Sequence, residues 1–148
     1  MGSTYLSLYY HLVFSTKNRA PIIDPTWSER LHKYLAGTIT GLNGFTEAIG
    51  GVNDHVHLLV RLKATHCLAD VLRELKKSSS TWVHEQIGLS SFAWQDGYAA
   101  FTVGATSILA VETYIANQCE HHRVKSFREE LIEMLERAGI DYDPQYLE

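Results

Sequence analysis

The succession of periodicities along the chain predicts an α+β fold, a ferredoxin-like βαββαβ sandwich on an antiparallel sheet, followed by C-terminal helices. Three observations carry that expectation. Tyr5 to Ser15 alternates with period two, and two stretches of helical period separate it from a hairpin and the hairpin from a last strand. No run of about 18 apolar residues occurs. At 148 residues and 45% hydrophobic, the chain has the length and apolar content of a single domain that can bury its own core.

In the first strand Leu6, Leu8, Tyr10, Leu12 and Phe14 share one face, and Tyr5, Ser7, Tyr9, His11 and Val13 the other. Asp24 and Pro25 open a helix in which Trp27, Leu31, Tyr34, Leu35, Thr38 and Leu42 recur at helical spacing, ending near Asn43-Gly44. Phe45 to Ile49 and Asp54 to Leu62, joined by the turn formers of "GGVN", read as a hairpin. Leu68, Val71, Leu72, Leu75, Trp82 and Val83 mark a second helix that stops near Gly88. After the loop "SSFAWQDGY", Tyr98 to Val103 forms the fourth strand. A third helix, capped by Thr106 or Ser107, then runs to about His122. Leu131, Met134, Leu135 and Ala138 predict a short fourth helix. One domain is expected over 1–148, with a core of about 5–123 and a C-terminal helix and acidic tail at 124–148.

The N-terminus lacks the features of a secretory leader, so a cytoplasmic protein with no membrane partner is expected. Cys67 and Cys119 suit neither a disulfide framework nor a cysteine-rich zinc site. The net charge of −4 is unevenly placed: residues 1–119 hold nine basic and nine acidic groups, and the last 29 hold four and eight. The neutral part therefore leaves room for a local basic surface around Arg61, Lys63, Arg73, Lys76 and Lys77, although a solvated helix face reads the same way.

Chemistry concentrates in "NDHVHLLV". Period two sends Val56, Leu58, Val60 and Leu62 toward the helices, and His55, His57, Leu59 and Arg61 to the face that such a sandwich leaves open. Two imidazoles two residues apart on a strand have Cβ atoms roughly 6 to 7 Å apart and can share a metal ion, or can be ordinary polar decoration. Downstream, Tyr114 and Gln118 stand at i and i+4 on the third helix. An amide oxygen beside two imidazoles favours Mg2+ or Mn2+ over structural zinc. His121 and His122 are alternative ligands, or groups of the phosphate environment or of a dimer edge.

The "HVH" strand followed by "YIANQ" on a helix resembles the single-tyrosine HUH transposases of bacterial insertion sequences. With "YYHLVFSTKNR", "ELKKSSSTWVHE", "WQDGYAAFTV" and "YIANQCEHHRVKSFREE", the chain is similar to their REP-associated, IS200-like branch from about Tyr5 to Tyr146. The resemblance implies a metal-dependent enzyme that nicks and rejoins single-stranded DNA near hairpins. Tyr114 would be the nucleophile of a 5'-phosphotyrosine intermediate, acting in cis or in trans. His55, His57 and Gln118 would hold Mg2+ or Mn2+, and no nucleotide cofactor is needed. Hairpin DNA would meet Arg61, Arg73, Lys76 and Lys77 at phosphates and Trp94 and Tyr98 by stacking. A homodimer is implied. The same fold would also serve a domesticated hairpin-binding protein with little turnover, and the role of the acidic tail from Glu120 onward is left open, a cover over the site in the absence of DNA being one reading.

Overall fold

The computed structural model of the chain describes residues 2–147. Strands β1 (Tyr9–Ser15), β2 (Phe45–Gly51), β3 (His55–Arg61) and β4 (Ala99–Val103) form one antiparallel sheet in the order β2-β3-β1-β4. This is the order expected of βαββαβ, and it makes β1 and β3 the central pair. Their register sets Val13 opposite His57 and Ser15 opposite His55. The first strand starts at Tyr9 instead of Tyr5 because both of its neighbours end there: Tyr9 pairs with Arg61 on one side and Val103 on the other. Beyond that point the alternation of Tyr5 to Leu8 has almost no ladder to join.

One sheet face carries α1 (Pro25–Gly41) and α2 (Leu68–Trp82). Asp24 caps α1 by accepting from the Thr26 amide at 2.8 Å, with Pro25 in the first turn where a missing N–H costs nothing. The stripe Trp27, Leu31, Leu35 and Ile39 packs on Leu12, Phe14, Val56, Leu58 and Val60, joined by Val71, Leu72 and Leu75 of α2. Each fully buried leucine here contributes about 1.5–3 kcal/mol by leaving water. A wide turn over Val83–Ile87 follows α2 and closes on Gly88, whose φ of 83° suits a residue without Cβ.

The other face is not open. It is covered by α3 (Ile108–Ala116), α4 (Gln118–His121) and α5 (Phe127–Arg137). Ile115 of α3 packs on Leu59 and Val103, and Phe127, Leu131 and Leu135 of α5 pack on Val13. The predicted third helix is thus two helices, broken at Asn117 (φ −98°, ψ 20°), and neither Thr106 nor Ser107 caps it through a side chain. The fourth helix begins earlier than its leucines suggested. Ser126 and Glu129 form a reciprocal capping box at its start.

Gly50 of β2 decides how closely α3 sits. A Cβ there would lie 2.6 Å from the Ile115 carbonyl oxygen, so only glycine allows the helix backbone to rest on the strand.

Candidate active site

With the second face covered, His55 and His57 are fully buried, at 0% exposure each. Both point into the layer between the sheet and α3–α5, as the period-two reading requires. His55 stacks on Phe127 of α5 with ring centroids 4.3 Å apart. Its Nδ1 lies 2.7 Å from an Asp54 carboxylate oxygen, which can only accept, so Nδ1 carries the proton and Nε2 faces inward. His57 is held at both nitrogens, with Nδ1 2.8 Å from Nε2 of the buried His11 on β1 and Nε2 turned to the Glu130 carboxylate.

Gln118, 1% exposed, joins them from α4. Its Oε1 lies 3.1 Å from His55 Nε2, and its Nε2 donates to Glu130 Oε2 at 3.1 Å. Tyr114 reaches the same place from α3, its hydroxyl donating to Glu130 Oε2 and lying 3.3 Å from His121 Nε2. The break at Asn117 does not part the pair: the Tyr114 hydroxyl and the Gln118 amide meet on one carboxylate oxygen.

Glu130 is the residue that sequence reasoning missed. Its carboxylate, 1% exposed, sits at the centre of the cluster. Oε1 lies 3.0 Å from His57 Nε2, 3.2 Å from His122 Nε2 and 3.4 Å from His55 Nε2. The signal was available, because Glu130 stands three residues after Phe127 and four before Met134, an acid inside an apolar stripe. His122, read only as an alternative, enters the cluster, with Nδ1 2.7 Å from the Lys125 carbonyl oxygen and Nε2 turned inward. One ligand atom each from His55, His57, His122 and Glu130 falls within 4.8 Å of the others, a set able to hold a metal ion.

The electrostatics follow from burial and these contacts. Burial pulls His57 down to about 4 and, with the neighbouring His57, His11 down to about 3. Burial also opposes charge on His55, but hydrogen bonds to Asp54 and Glu130 outweigh it and raise its pKa. Glu130 is held well below the usual carboxylate range because hydrogen bonds from His122, His55 and His57 overcome its desolvation. Burial and the Glu130 carboxylate together push the Tyr114 phenol above its ordinary value. The resting site is an ionised carboxylate among imidazoles, beside a protonated tyrosine. A cavity of about 410 Å³ opens beside Tyr114, His11, His121 and Glu130.

The expected DNA-contact residues are not gathered here. Arg73, Lys76 and Lys77 lie on α2, across the sheet, where they border a cavity of about 400 Å³ with the exposed Tyr98. Lys76 already donates to the carbonyls of Asp96 and Gly97 at 3.0 and 2.9 Å, and Arg73 pairs with Asp70. Arg61 ends β3, about 20 Å along the strand from His55 by strand rise, with its guanidinium over Phe45. Trp94 is no stacking platform. It packs edge-on against Phe14 and Phe92 and donates from Nε1 to Ser79 Oγ at 2.8 Å, the demand of a buried indole N–H.

The sequence matches the family described as transposase, IS200-like, over residues 4–118. The chain belongs to that family. Among solved structures, this IS200-like transposase is similar to a candidate transposase from Deinococcus radiodurans R1, with a TM-score of 0.62 and 25% identity over 80% of this chain and 96% of that one. It shares its fold with a REP-associated tyrosine transposase bound to a REP hairpin, with a TM-score of 0.61 and 16% identity over 82% of this chain and 74% of that one. No curated protein matches its sequence. Among the described residues of the transposase, no helix is long and apolar enough to cross a membrane. The family match ends at Gln118, so His122 and Glu130 lie outside it.

Proposed function

We propose that this transposase nicks and rejoins single-stranded DNA near hairpins in a metal-dependent reaction that passes through a 5'-phosphotyrosine intermediate. The observation that carries the reading is the convergence of the Tyr114 hydroxyl, His55, His57 and Gln118 on one buried point, from α3, β3 and α4. The donor set fits a cation. The Nδ1 partners of His55 and His122 are pure acceptors, so in the neutral rings both Nε2 atoms present lone pairs. Gln118 Oε1 faces those same atoms at 3.1 and 3.0 Å, because its Nε2 is committed to Glu130. Acceptors turned toward acceptors require a proton or a metal ion among them.

His55, His57 and Gln118 are the residues that would hold Mg2+ or Mn2+. When bound, such an ion polarises a non-bridging phosphate oxygen. Asp54 and His11 orient the two imidazoles. Tyr114 Oη forms the bond to phosphorus as the bond from phosphorus to the 3'-oxygen breaks, and Glu130 Oε2, which already accepts the phenol hydrogen bond, takes the proton. The 3'-oxygen leaves as a hydroxyl, taking a proton from solvent. Attack by that hydroxyl, or by one from another cleaved strand, on the phosphotyrosine rejoins the DNA. The bond energy stays in the covalent link, so the cycle needs no nucleotide cofactor.

Hairpin DNA as substrate is supported by the REP hairpin bound to the fold neighbour. Arg73, Lys77 and Tyr98 remain candidates for contacts away from the scissile phosphate. Among the described residues no further strand lies against the sheet edges β2 and β4, which suits a homodimer joined edge to edge.

The test is incubation with a hairpin oligonucleotide and Mn2+, followed by denaturing electrophoresis. A covalent protein–DNA adduct is expected, and Tyr114→Phe should abolish it while DNA binding persists. Cleavage by Tyr114→Phe at the wild-type rate would overturn the assignment. Binding without any adduct in the wild-type protein would leave a hairpin-binding protein instead of an enzyme.

A further inference from the structure

We propose that Glu130 and His122, supplied from beyond the family-matched segment, are ligands of the metal centre, so that metal binding fastens α5 to the catalytic sheet. The inference rests on the metal dependence proposed above and deepens it. The expected trio of His55, His57 and Gln118 is neutral throughout, and a divalent ion in a dry site is far better matched by a set that includes an anion. Glu130 is that anion. It is buried, and its Oε1 lies 3.0 to 3.4 Å from three imidazole Nε2 atoms, spacings compatible with donors that share one ion.

The surroundings of both residues fit ligation. His122 Nδ1 is committed to the Lys125 carbonyl, which fixes the tautomer whose Nε2 lone pair points inward. The two oxygens of Glu130 divide their work. Oε1 faces the three imidazoles, whereas Oε2 accepts from the Tyr114 hydroxyl and the Gln118 amide. One carboxylate thus links the metal position to the nucleophile, and its helix is fixed by the Ser126 capping box and by Phe127, Leu131 and Leu135. The opposite arrangement is a cover, in which the Glu130 carboxylate occupies the place of the scissile phosphate and α5 lifts when the site is used.

Mn2+ affinity of the full chain, read from the electron paramagnetic resonance signal of free Mn2+, separates these cases. Glu130→Gln and His122→Ala should each weaken binding by at least the roughly 10- to 100-fold that loss of an outer-shell partner costs. Glu133→Gln, on the same helix but paired with Lys125 and Arg137, should bind as wild type. Since Glu130→Gln leaves a polar amide in a buried network and can unfold the helix, hydrogen exchange of Phe127–Arg137 in the wild-type protein is the second measurement. Added Mn2+ should slow it. Wild-type affinity in both variants, or faster exchange of α5 on adding Mn2+, overturns the proposal while leaving metal dependence intact. A wild-type protein that binds no Mn2+ overturns the metal dependence as well.

Discussion

Gly50→Ala tests whether the tyrosine helix is seated by backbone contact. Gly50 pairs with His57 across the hairpin and lies under Ile115, the residue after Tyr114. An added Cβ would sit 2.6 Å from the Ile115 carbonyl oxygen and 3.1 Å from its Cγ2. Ordinary contact begins near 3.4 Å, so α3 must withdraw by about 0.8 Å, and no rotamer can relieve a clash with main chain. Overpacking of this kind costs about 1–3 kcal/mol, which at roughly 2–4 °C per kcal/mol lowers Tm by several degrees in a chain of this size. The larger effect falls on chemistry, because moving a reacting atom by about 1 Å can cost on the order of a hundredfold in rate. Gly37→Ala serves as the control, since it lies inside α1 with nothing within 4 Å of its added methyl and should stabilise by up to about 1 kcal/mol. Thermal unfolding and the rate of covalent adduct formation on a hairpin oligonucleotide are the two readouts. A Gly50→Ala protein that unfolds like the wild type and forms adduct at the wild-type rate would refute the reasoning.

Three more outcomes follow from the geometry. Mn2+ affinity should rise with pH above 6.5, by up to about tenfold per unit, because Asp54 and Glu130 overcome burial to raise the His55 pKa, and that proton must leave before Nε2 can bind. The raised pKa keeps the site protonated as pH falls, so affinity is lost on the acid side; calorimetry in buffers of different ionisation heat should count the released proton, and a flat profile from about pH 5.5 to 8 would sink the argument. Ser126→Ala should cost about 1 kcal/mol in urea denaturation by removing one arm of the capping box, with faster hydrogen exchange in α5; equal exchange in both proteins would show that packing alone fixes this helix. Trp94→Phe should lose about 1 kcal/mol through the missing hydrogen bond to Ser79, whose hydroxyl keeps its bond to the Leu75 carbonyl, and leave hairpin affinity unchanged, whereas Arg73→Ala with Lys77→Ala should weaken binding and flatten its salt dependence; reduced affinity in Trp94→Phe at full stability would restore a stacking role.

What the sequence made legible was whatever depends on local periodicity. The alternation in β3 placed His55 and His57 on one side, and the i and i+4 spacing of Tyr114 and Gln118 brought both to that side despite the break at Asn117. The limits of β1 were not legible, because they depend on where its two neighbours stop. The covered second face was hidden for a similar reason: the apolar stripes of α3 and α5 show that each helix packs, but not on what. Glu130 combined both difficulties. Local pattern marks it as a charge in an apolar stripe, and only the tertiary arrangement supplies the imidazoles and the phenol that make burying it tolerable.

The sharing of one carboxylate among so many partners has an evolutionary consequence. In the helix-facing core, substitutions at sites far enough apart to share no neighbours should add, and drift can proceed one residue at a time. Around Glu130 they should not. Once Glu130 is neutralised, removing His57 as well takes away a partner that has already lost its counterpart, so the double variant should cost little more than either single one. Each first loss is therefore severe and each later one cheap, so variation there is expected to be all or none: lineages keep the whole cluster or, after one substitution, shed its members together while the fold beneath persists.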